Sequence, residues 1–439
     1  DEQPLLPDEV LQTVLWVSRY YHHPLGECLQ TALPKRLRNG DPATIEEEAW
    51  WYKNDKGGEK KPGKKQQAIL NLLEDYPEGI SQSALKAQLG NVSASLKTLE
   101  NQHRVLQKPQ PKLPISRTEL NLPCELNTEQ QNVVDKVWQS REQFQPFLLE
   151  GITGSGKTEA YIELSEKMLT AGHQVLILIP EIGLTGQFVE RFKQRLNTSI
   201  VVLNSAISDG ERKQGWLLAR AGLGRIIIGT RSAVFTPLPQ AGLMIIDEEH
   251  DSSYKQQDGL RYHARQVALI RAQKMGIPVL MGSATPSLES LYQVQQQRFH
   301  LLQLKQRATG ASLPQVHLID SQGAHPDHGL SEQLLKKMHQ HLDAGNQVIL
   351  FINRRGYAPV LMCHDCGWQA SCKHCDARMV VHKHRHILFC HHCGFIQRLP
   401  DQCPQCESKR LKSYGAGTEK IEQHLQGLFP DTQTLQMLF

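Results

Sequence analysis

The octapeptide Gly151-Ile152-Thr153-Gly154-Ser155-Gly156-Lys157-Thr158 constrains this sequence more than any other feature. It follows the apolar run Phe147-Leu-Leu-Glu150 and precedes Glu159 to Leu169, a stretch patterned as a helix. Small residues in that setting let successive backbone N–H groups curl around an anion, and the helix N-terminus adds the positive end of its dipole. Strand, glycine-rich turn and helix in this order form a cradle for nucleotide phosphates. Lys157 is expected to reach the β and γ phosphates, and the Thr158 hydroxyl to hold Mg²⁺. ATP and Mg²⁺ are therefore the expected ligands.

A second string says what happens to the nucleotide. Leu243-Met-Ile-Ile246 is a short apolar run typical of a buried parallel strand, and Asp247-Glu248-Glu249-His250 sits at its C-terminal end. Ligands of open α/β sheets gather at that edge. Asp247 is placed to bind Mg²⁺ through water, and Glu248 to orient and deprotonate the attacking water. His250 falls at the same nucleotide site. Lys157, Asp247 and Glu248 are the expected catalytic set.

At 439 residues the chain has room for roughly three domains. A net charge of +4 is compatible with nucleic acid without arguing for it. No apolar run approaches the ~18 residues of a membrane span, so no membrane association is expected. The N-terminus, Asp1-Glu-Gln-Pro, does not read as a signal peptide. Eight of the ten cysteines fall between 363 and 406, which points away from a chain-wide disulfide framework and towards the cytoplasm.

Residues 1–40 contain an amphipathic helix, Leu11 to Tyr21, and read as the tail of a domain whose beginning is missing. Residues 41–63 are polar and read as a linker. Helices at Gln66–Leu73, Gln82–Leu89 and Ala94–Asn101, followed by Val105-Leu106, suggest a winged-helix module over 64–110. Such modules bind DNA or merely connect domains, and both readings stand. Over 111–315 short apolar runs alternate with helical stretches. Strands are expected at Val175–Pro180, Ile200–Leu203, Ile226–Ile228, Leu243–Ile246 and Pro278–Met281, building a parallel sheet covered on both faces. A second such unit opens at Gln347-Val-Ile-Leu-Phe-Ile352, is interrupted by the cysteine-rich segment, and resumes near Gly415.

The cysteine segment holds four Cys-x-x-Cys pairs, Cys363/Cys366, Cys372/Cys375, Cys390/Cys393 and Cys403/Cys406. Eight thiols in this pattern suit two tetrahedral Cys₄ sites and hence two Zn²⁺ per chain. The 14 residues between Cys375 and Cys390 resemble a zinc-ribbon spacing. That favours an inner set, 372/375/390/393, nested in an outer set, 363/366/403/406. Spacing alone also allows cross-bracing. A redox role or an iron–sulfur centre is disfavoured by the density of pairs. Nearby histidines (His364, His374, His382, His384, His386, His391 and His392) are expected to be solvated or to support the ligands. Cys28 and Cys124 read as bystanders.

Further strings fall at the strand ends: Pro180-Glu-Ile-Gly-Leu-Thr185, Gly229-Thr-Arg-Ser-Ala233 and Gly282-Ser-Ala-Thr-Pro-Ser287. In this order, beside the two nucleotide motifs, they resemble the strand-contacting and coupling motifs of superfamily-2 helicases. Asn127-Thr-Glu-Gln-Gln131 resembles that family's adenine-reading element, with Gln130 the expected contact. The run from Asp247 through Tyr254-Lys255 to Arg261-Tyr262-His-Ala-Arg265 is similar to the aromatic-rich loop of the PriA family of replication-restart helicases. Asn353-Arg-Arg-Gly-Tyr-Ala-Pro359, followed by the cysteine pairs, and Tyr20-Tyr-His-His-Pro24 carry the same resemblance.

That resemblance implies an α/β architecture: a RecA-like helicase lobe over 111–315, preceded by the winged-helix module. The start of a second lobe (316–362), the two-zinc module (363–406) in the nested arrangement and an incomplete remainder (407–439) would follow. Residues 1–40 would be the remnant of a 3′ DNA-binding domain. It also implies ATP-driven 3′→5′ unwinding at stalled or branched forks, with primosome proteins and single-stranded-DNA-binding protein as partners. Tyr254 and Tyr262 would stack on bases, while Arg231, Lys255, Arg261 and Arg265 would meet phosphates of forked or single-stranded DNA.

The sequence departs from the family pattern in one important respect. No Gln-x-x-Gly-Arg-x-Gly-Arg string occurs, and the last arginine is Arg410. An arginine finger is worth about 10³–10⁵ in rate. A molecule consisting of these residues alone is expected to bind ATP, hydrolyse it poorly and not unwind processively. Smaller departures are Gly186 in place of the usual proline and Asn204 in place of a common histidine.

Overall fold

The computed structural model describes residues 4–54, 57, 61–77, 79–113, 125–180, 186–307, 315–319, 330–351, 360–375, 377–382, 385–390, 392–414, 418–430 and 432–433. The chain divides into two compact units, 1–312 and 313–439.

The first unit opens with helices α1 (Asp8–Tyr20), α2 (Leu25–Ala32) and the single turn α3 (Lys35–Arg38). A small α+β module follows: β1 (Glu47–Lys53), α4 (Lys64–Asp75), β2 (Ile80–Ser81), α5 (Gln82–Leu89), α6 (Ser93–Asn101) and β3 (Val105–Pro111). Its three helices were legible from their apolar spacing. Strand β1 was not, because it lies in the polar stretch read as a linker. The run Ala49-Trp-Trp-Tyr52 favours a pleated, half-buried surface. It pairs antiparallel along all of β3 and with β2, and Trp51 is buried against Ile69, Leu73, Leu85 and Leu99.

The main body alternates α7 (Thr128–Gln139), β4 (Pro146–Gly151), α8 (Lys157–Thr170), β5 (Gln174–Leu178), α9 (Gly186–Arg195), β6 (Ile200–Leu203), α10 (Asp209–Arg220) and β7 (Ile226–Gly229). It continues through β8 (Ala241–Ile246), α11 (Ala264–Met275), β9 (Val279–Ser283), α12 (Leu288–Gln295) and β10 (His300–Leu304). The seven strands form one parallel sheet in the order β10-β4-β9-β8-β5-β7-β6. Alternate residues of a strand face opposite sides. Leu148, Leu176, Leu178, Met244 and Ile246 enter one core, while Phe147, Leu149, Val175, Ile177 and Ile245 enter the other. Burial on both faces explains why these strands read as continuous apolar runs. Strand β10, with exposed His300, Leu301 and Gln303, gave no such signal.

The order of the strands positions the chemistry. Strand β9 lies between β4 and β8, so Gly282-Ser283 emerges between the phosphate loop and Asp247.

The second unit holds α13 (Glu332–Asp343), β11 (Val360–Cys363), β12 (Val380–His382), β13 (Ile387–Phe389), β14 (Ile396–Arg398), β15 (Leu411–Tyr414) and α14 (Thr418–Leu428). Strands β12-β13-β14 make an antiparallel meander, and β11 pairs with β15. The strand expected at 347–352 is absent among the described residues of that stretch, 347–351, where Ile349 and Phe351 are 82% and 88% exposed. A strand is stabilised by neighbours, and none lies beside it among the described residues. Asn353–Pro359 and residues 181–185 of the string beginning at Pro180 lie outside the described residues, as do Cys124, His384, His391 and Gly415. Among the described residues no helix is long and apolar enough to cross a membrane.

Candidate nucleotide, metal and nucleic-acid sites

The β4–α8 connection is a turn that only small residues allow. Gly154 and Gly156 have φ of +80° and +82°, a region that costs glycine nothing. Ile152 and Thr153 project from the turn, while Ser155 is buried with no hydrogen-bond partner for its Oγ. A buried, unpartnered hydroxyl in a glycine-rich turn at a helix N-terminus fits a phosphate oxygen as its missing partner. Lys157 begins α8 and its Nζ donates to the Gly151 carbonyl at 3.1 Å. It also lies 3.4 Å from Glu248 Oε1. Thr158, half-buried in the first turn of α8, sits where the sequence put it.

Gln130 lies behind this turn. Its Oε1 accepts from the Asn127 N–H, and its Nε2 donates to the carbonyls of Ser155 and Gly156 at 3.2 and 3.4 Å. It is 3% exposed. In this arrangement its amide caps α7 and braces the phosphate loop.

Asp247 and Glu248 stand at the C-terminal end of β8. The buried Tyr161 hydroxyl donates to Asp247 Oδ1 at 2.9 Å. Burial, then the charge of Glu248, holds the Asp247 carboxyl above its ordinary range. A divalent cation would relieve both effects. Tyr161 reaches Asp247 across Gly282, where any Cβ would collide with the hydroxyl. Glu248 adopts φ +44°, uncommon for a residue with a side chain, and its carboxylate lies between Lys157 and His250. His250 Nδ1 is 2.7 Å from Ser283 Oγ, which also accepts from the Thr285 N–H. The acidic motif and the Ser-Ala-Thr string are thereby joined directly.

Glu249 went unassigned in the sequence reading. Its buried carboxylate pairs with Arg265 and accepts from the Ser287 N–H (2.7 Å), Ser287 Oγ (3.0 Å) and Ser290 Oγ (2.8 Å). Those partners hold its pKa below the ordinary value despite burial. Tyr161 and Arg265 carried no signal for these roles, since spacing along the chain does not reveal contacts between elements.

The aromatic-rich segment differs from expectation in its side chains. Tyr254 and Tyr262 are buried, not offered to bases. The Tyr254 hydroxyl donates to the carbonyls of Asp247 (2.6 Å) and Leu178 (3.0 Å), and Tyr262 packs edge-on against Phe235. Arg265 is committed to Glu249, Ser287 and Ser290, so its expected phosphate contact is also corrected. Core packing wins because each ring has a closed apolar setting and the guanidinium has a buried counter-charge. Arg231 donates to the carbonyls of Ser253 and Lys255, and Lys255 to that of Arg261. Arg261 is the exposed cation of the expected set.

The cysteines assemble into two sets, 363/366/403/406 and 372/375/390/393, each with sulfurs within 4.8 Å of one another. The shortest separations are 3.6 Å for Cys363–Cys406 and Cys366–Cys403, 3.4 Å for Cys372–Cys393 and 3.5 Å for Cys375–Cys390. A tetrahedron with Zn–S of about 2.3 Å has edges near 3.8 Å, so each set fits one Zn²⁺. The arrangement is nested, not cross-braced.

Comparison with known proteins agrees with this geometry. Residues 127–294 match the family described as DEAD/DEAH box helicase, 372–398 the PriA DNA helicase Cys-rich region domain, and 1–34 a 3′ DNA-binding domain. The replication restart protein PriA of Haemophilus influenzae is 44% identical over 98% of this chain and 60% of its own length. Its counterpart in Bacillus subtilis is 38% identical over 85% of the chain and 48% of its own length. That of Chlamydia pneumoniae is 36% identical over 100% and 61%. The chain thus spans about three fifths or less of the length of these relatives. Among solved structures, RecG bound to a three-way DNA junction covers 51% of the chain, and the chain covers 29% of it, at 21% identity and a TM-score of 0.38.

Fold and site together define a P-loop lobe of the DEAD/DEAH box helicase class, accompanied by a module with two four-cysteine sites. The cysteine module carries the match to the PriA DNA helicase Cys-rich region. The chain belongs to the PriA family of replication-restart helicases.

Proposed function

We propose that this chain is the ATP-binding and DNA-responsive part of a 3′→5′ helicase that acts at stalled or branched replication forks. The observation that carries the reading is the junction of Lys157, Asp247, Glu248, His250 and Ser283 at one sheet edge, in a chain of this family. Lys157 exchanges Glu248 for the β and γ phosphates. Glu248, released, orients and deprotonates water, while His250 reports the change to Ser283 and Thr285. Asp247 and Thr158 would hold Mg²⁺, which would neutralise charge on the phosphates.

Two Zn²⁺, one in each four-cysteine set, would supplement the small apolar cluster of the cysteine module. We read the module formed by β1 to β3 with α4 to α6 as a winged helix. Arg261, with Arg231 and Lys255 behind it, is the candidate contact for single-stranded or forked DNA. Primosome proteins and single-stranded-DNA-binding protein are the proposed partners, in the cytoplasm.

The test is phosphate release with and without forked DNA. Release by this chain is expected to be slow and to rise with forked DNA, and Glu248→Gln should abolish that rise. Equal release from the parent and from Lys157→Ala would instead indicate a DNA-binding protein without motor function.

A further inference from the structure

Helix α1 is built into the motor lobe. Val10, Val14 and Val17 lie fully buried in the core that contains Val234, Phe235, Leu238, Ala264 and Ala268. Polar contacts then fix its two ends to two different lobe segments. At the start, Glu9 meets Arg271, whose side chain is 1% exposed, through two oxygens, Nε–Oε2 at 2.9 Å and Nη2–Oε1 at 2.8 Å. Arg271 also donates to the carbonyls of Val234 (2.7 Å) and Thr236 (2.6 Å), and the Leu238 N–H donates to Glu9 Oε1 at 2.9 Å. One buried bidentate pair therefore holds 234–238, the run that directly continues Gly229–Ala233.

Just beyond the other end, the Tyr21 hydroxyl accepts from the His263 N–H at 3.1 Å, and Lys255 Nζ lies 5.4 Å from the centre of its ring. Lys255 and His263 are themselves bridged across the loop. Within that loop Tyr254 holds the Asp247 carbonyl. A helix of 13 residues is about 20 Å long, and a packed helix bends little. The two segments already touch through Arg231 and through the Phe235–Tyr262 contact, and α1 adds a stiff support that spans both.

We propose that α1 is a positioning strut. Through Glu9–Arg271 and Tyr21–His263 it makes the strand-contacting run 229–238 and the loop 254–263 respond together, so that nucleic acid at the lobe changes nucleotide affinity at Asp247. The proposal rests on the nucleotide and DNA reading given above. Glu9 acts through Arg271 and the Leu238 N–H, and Tyr21 through the His263 N–H.

The experiment measures the affinity of the chain for Mg·ADP with and without a saturating single-stranded oligothymidylate. The parent is expected to show a coupling factor of about five or more. Tyr21→Phe, which removes one hydroxyl, and Glu9→Gln should each bring that factor towards one while leaving the DNA-free nucleotide affinity unchanged. Loss of packing alone would not move the factor selectively. Tyr21→Phe keeps the test decisive should Glu9→Gln fail to fold. Parent-like coupling in folded variants overturns the strut, as does a parent that binds both ligands without coupling. A parent that binds no nucleotide refutes the reading of the site, and the strut with it.

Discussion

At the residue scale, the chemistry of the phosphate loop was written in contiguous letters. Gly154, Gly156 and Lys157 act through local backbone geometry, and local geometry is what a motif encodes. Tyr161 shows the opposite case. It sits one turn into α8, and only the approach of β9 at Gly282 brings its hydroxyl to Asp247. Tyr161→Phe should cost about 1 kcal/mol of stability and weaken Mg·ATP binding more than Mg-free binding, as titrations at varied Mg²⁺ would report. Equal loss with and without the metal would contradict its assignment to Asp247.

His263 gives a pH signature. Burial, aided by the nearby charges of Arg265 and Lys255, pushes its pKa from 6.5 down to about 4. The unfolded chain therefore takes up a proton through 6.5 while the folded chain does not. Stability from this group is present above 6.5 and is lost progressively as the pH falls towards 4. Unfolding midpoints of His263→Leu, compared with the parent, should fall less steeply across that window. Parallel profiles would contradict the assignment.

At the element scale, the strands were legible because burial on both faces leaves long apolar runs. β1 and β10 were missed because one is disguised by flanking charges and the other is a half-exposed edge. The aromatic-rich segment was recognised as an element while its side chains were misplaced. A sequence records that Tyr254 and Tyr262 are aromatic, not which way they face. The Glu249–Arg265 pair ties β8 to α11 and α12 at 0% and 7% side-chain exposure. Breaking a buried pair from one side commonly costs 3–5 kcal/mol, about what is expected for Glu249→Ala in denaturant titrations. Removing both charges should cost less than the sum of the single changes. Additive losses would mean that the two side chains do not depend on each other.

At the scale of the whole molecule, the two units depend on different sources of stability. Residues 1–312 have two extensive apolar cores on one sheet, whereas the cysteine module has a small cluster around Leu361, Met379, Val381 and Leu388. Chelation should release two zinc ions and abolish the structure of 363–406 while the motor-lobe unfolding transition persists. The nested pairing predicts that Cys363→Ser with Cys403→Ser leaves one zinc per chain, whereas Cys363→Ser with Cys372→Ser leaves none. Spacing had left that pairing open, and the three-dimensional proximity of the sulfurs distinguishes the alternatives.

If the edge formed by β4, β9 and β8 is a nucleotide site, Mg·ATP binds there. Calorimetric titration of Mg·ATP into the zinc-loaded chain tests it most directly. One molecule bound per chain, with binding lost in Lys157→Ala, is the predicted result. No binding, or binding unchanged by Lys157→Ala, would contradict the account.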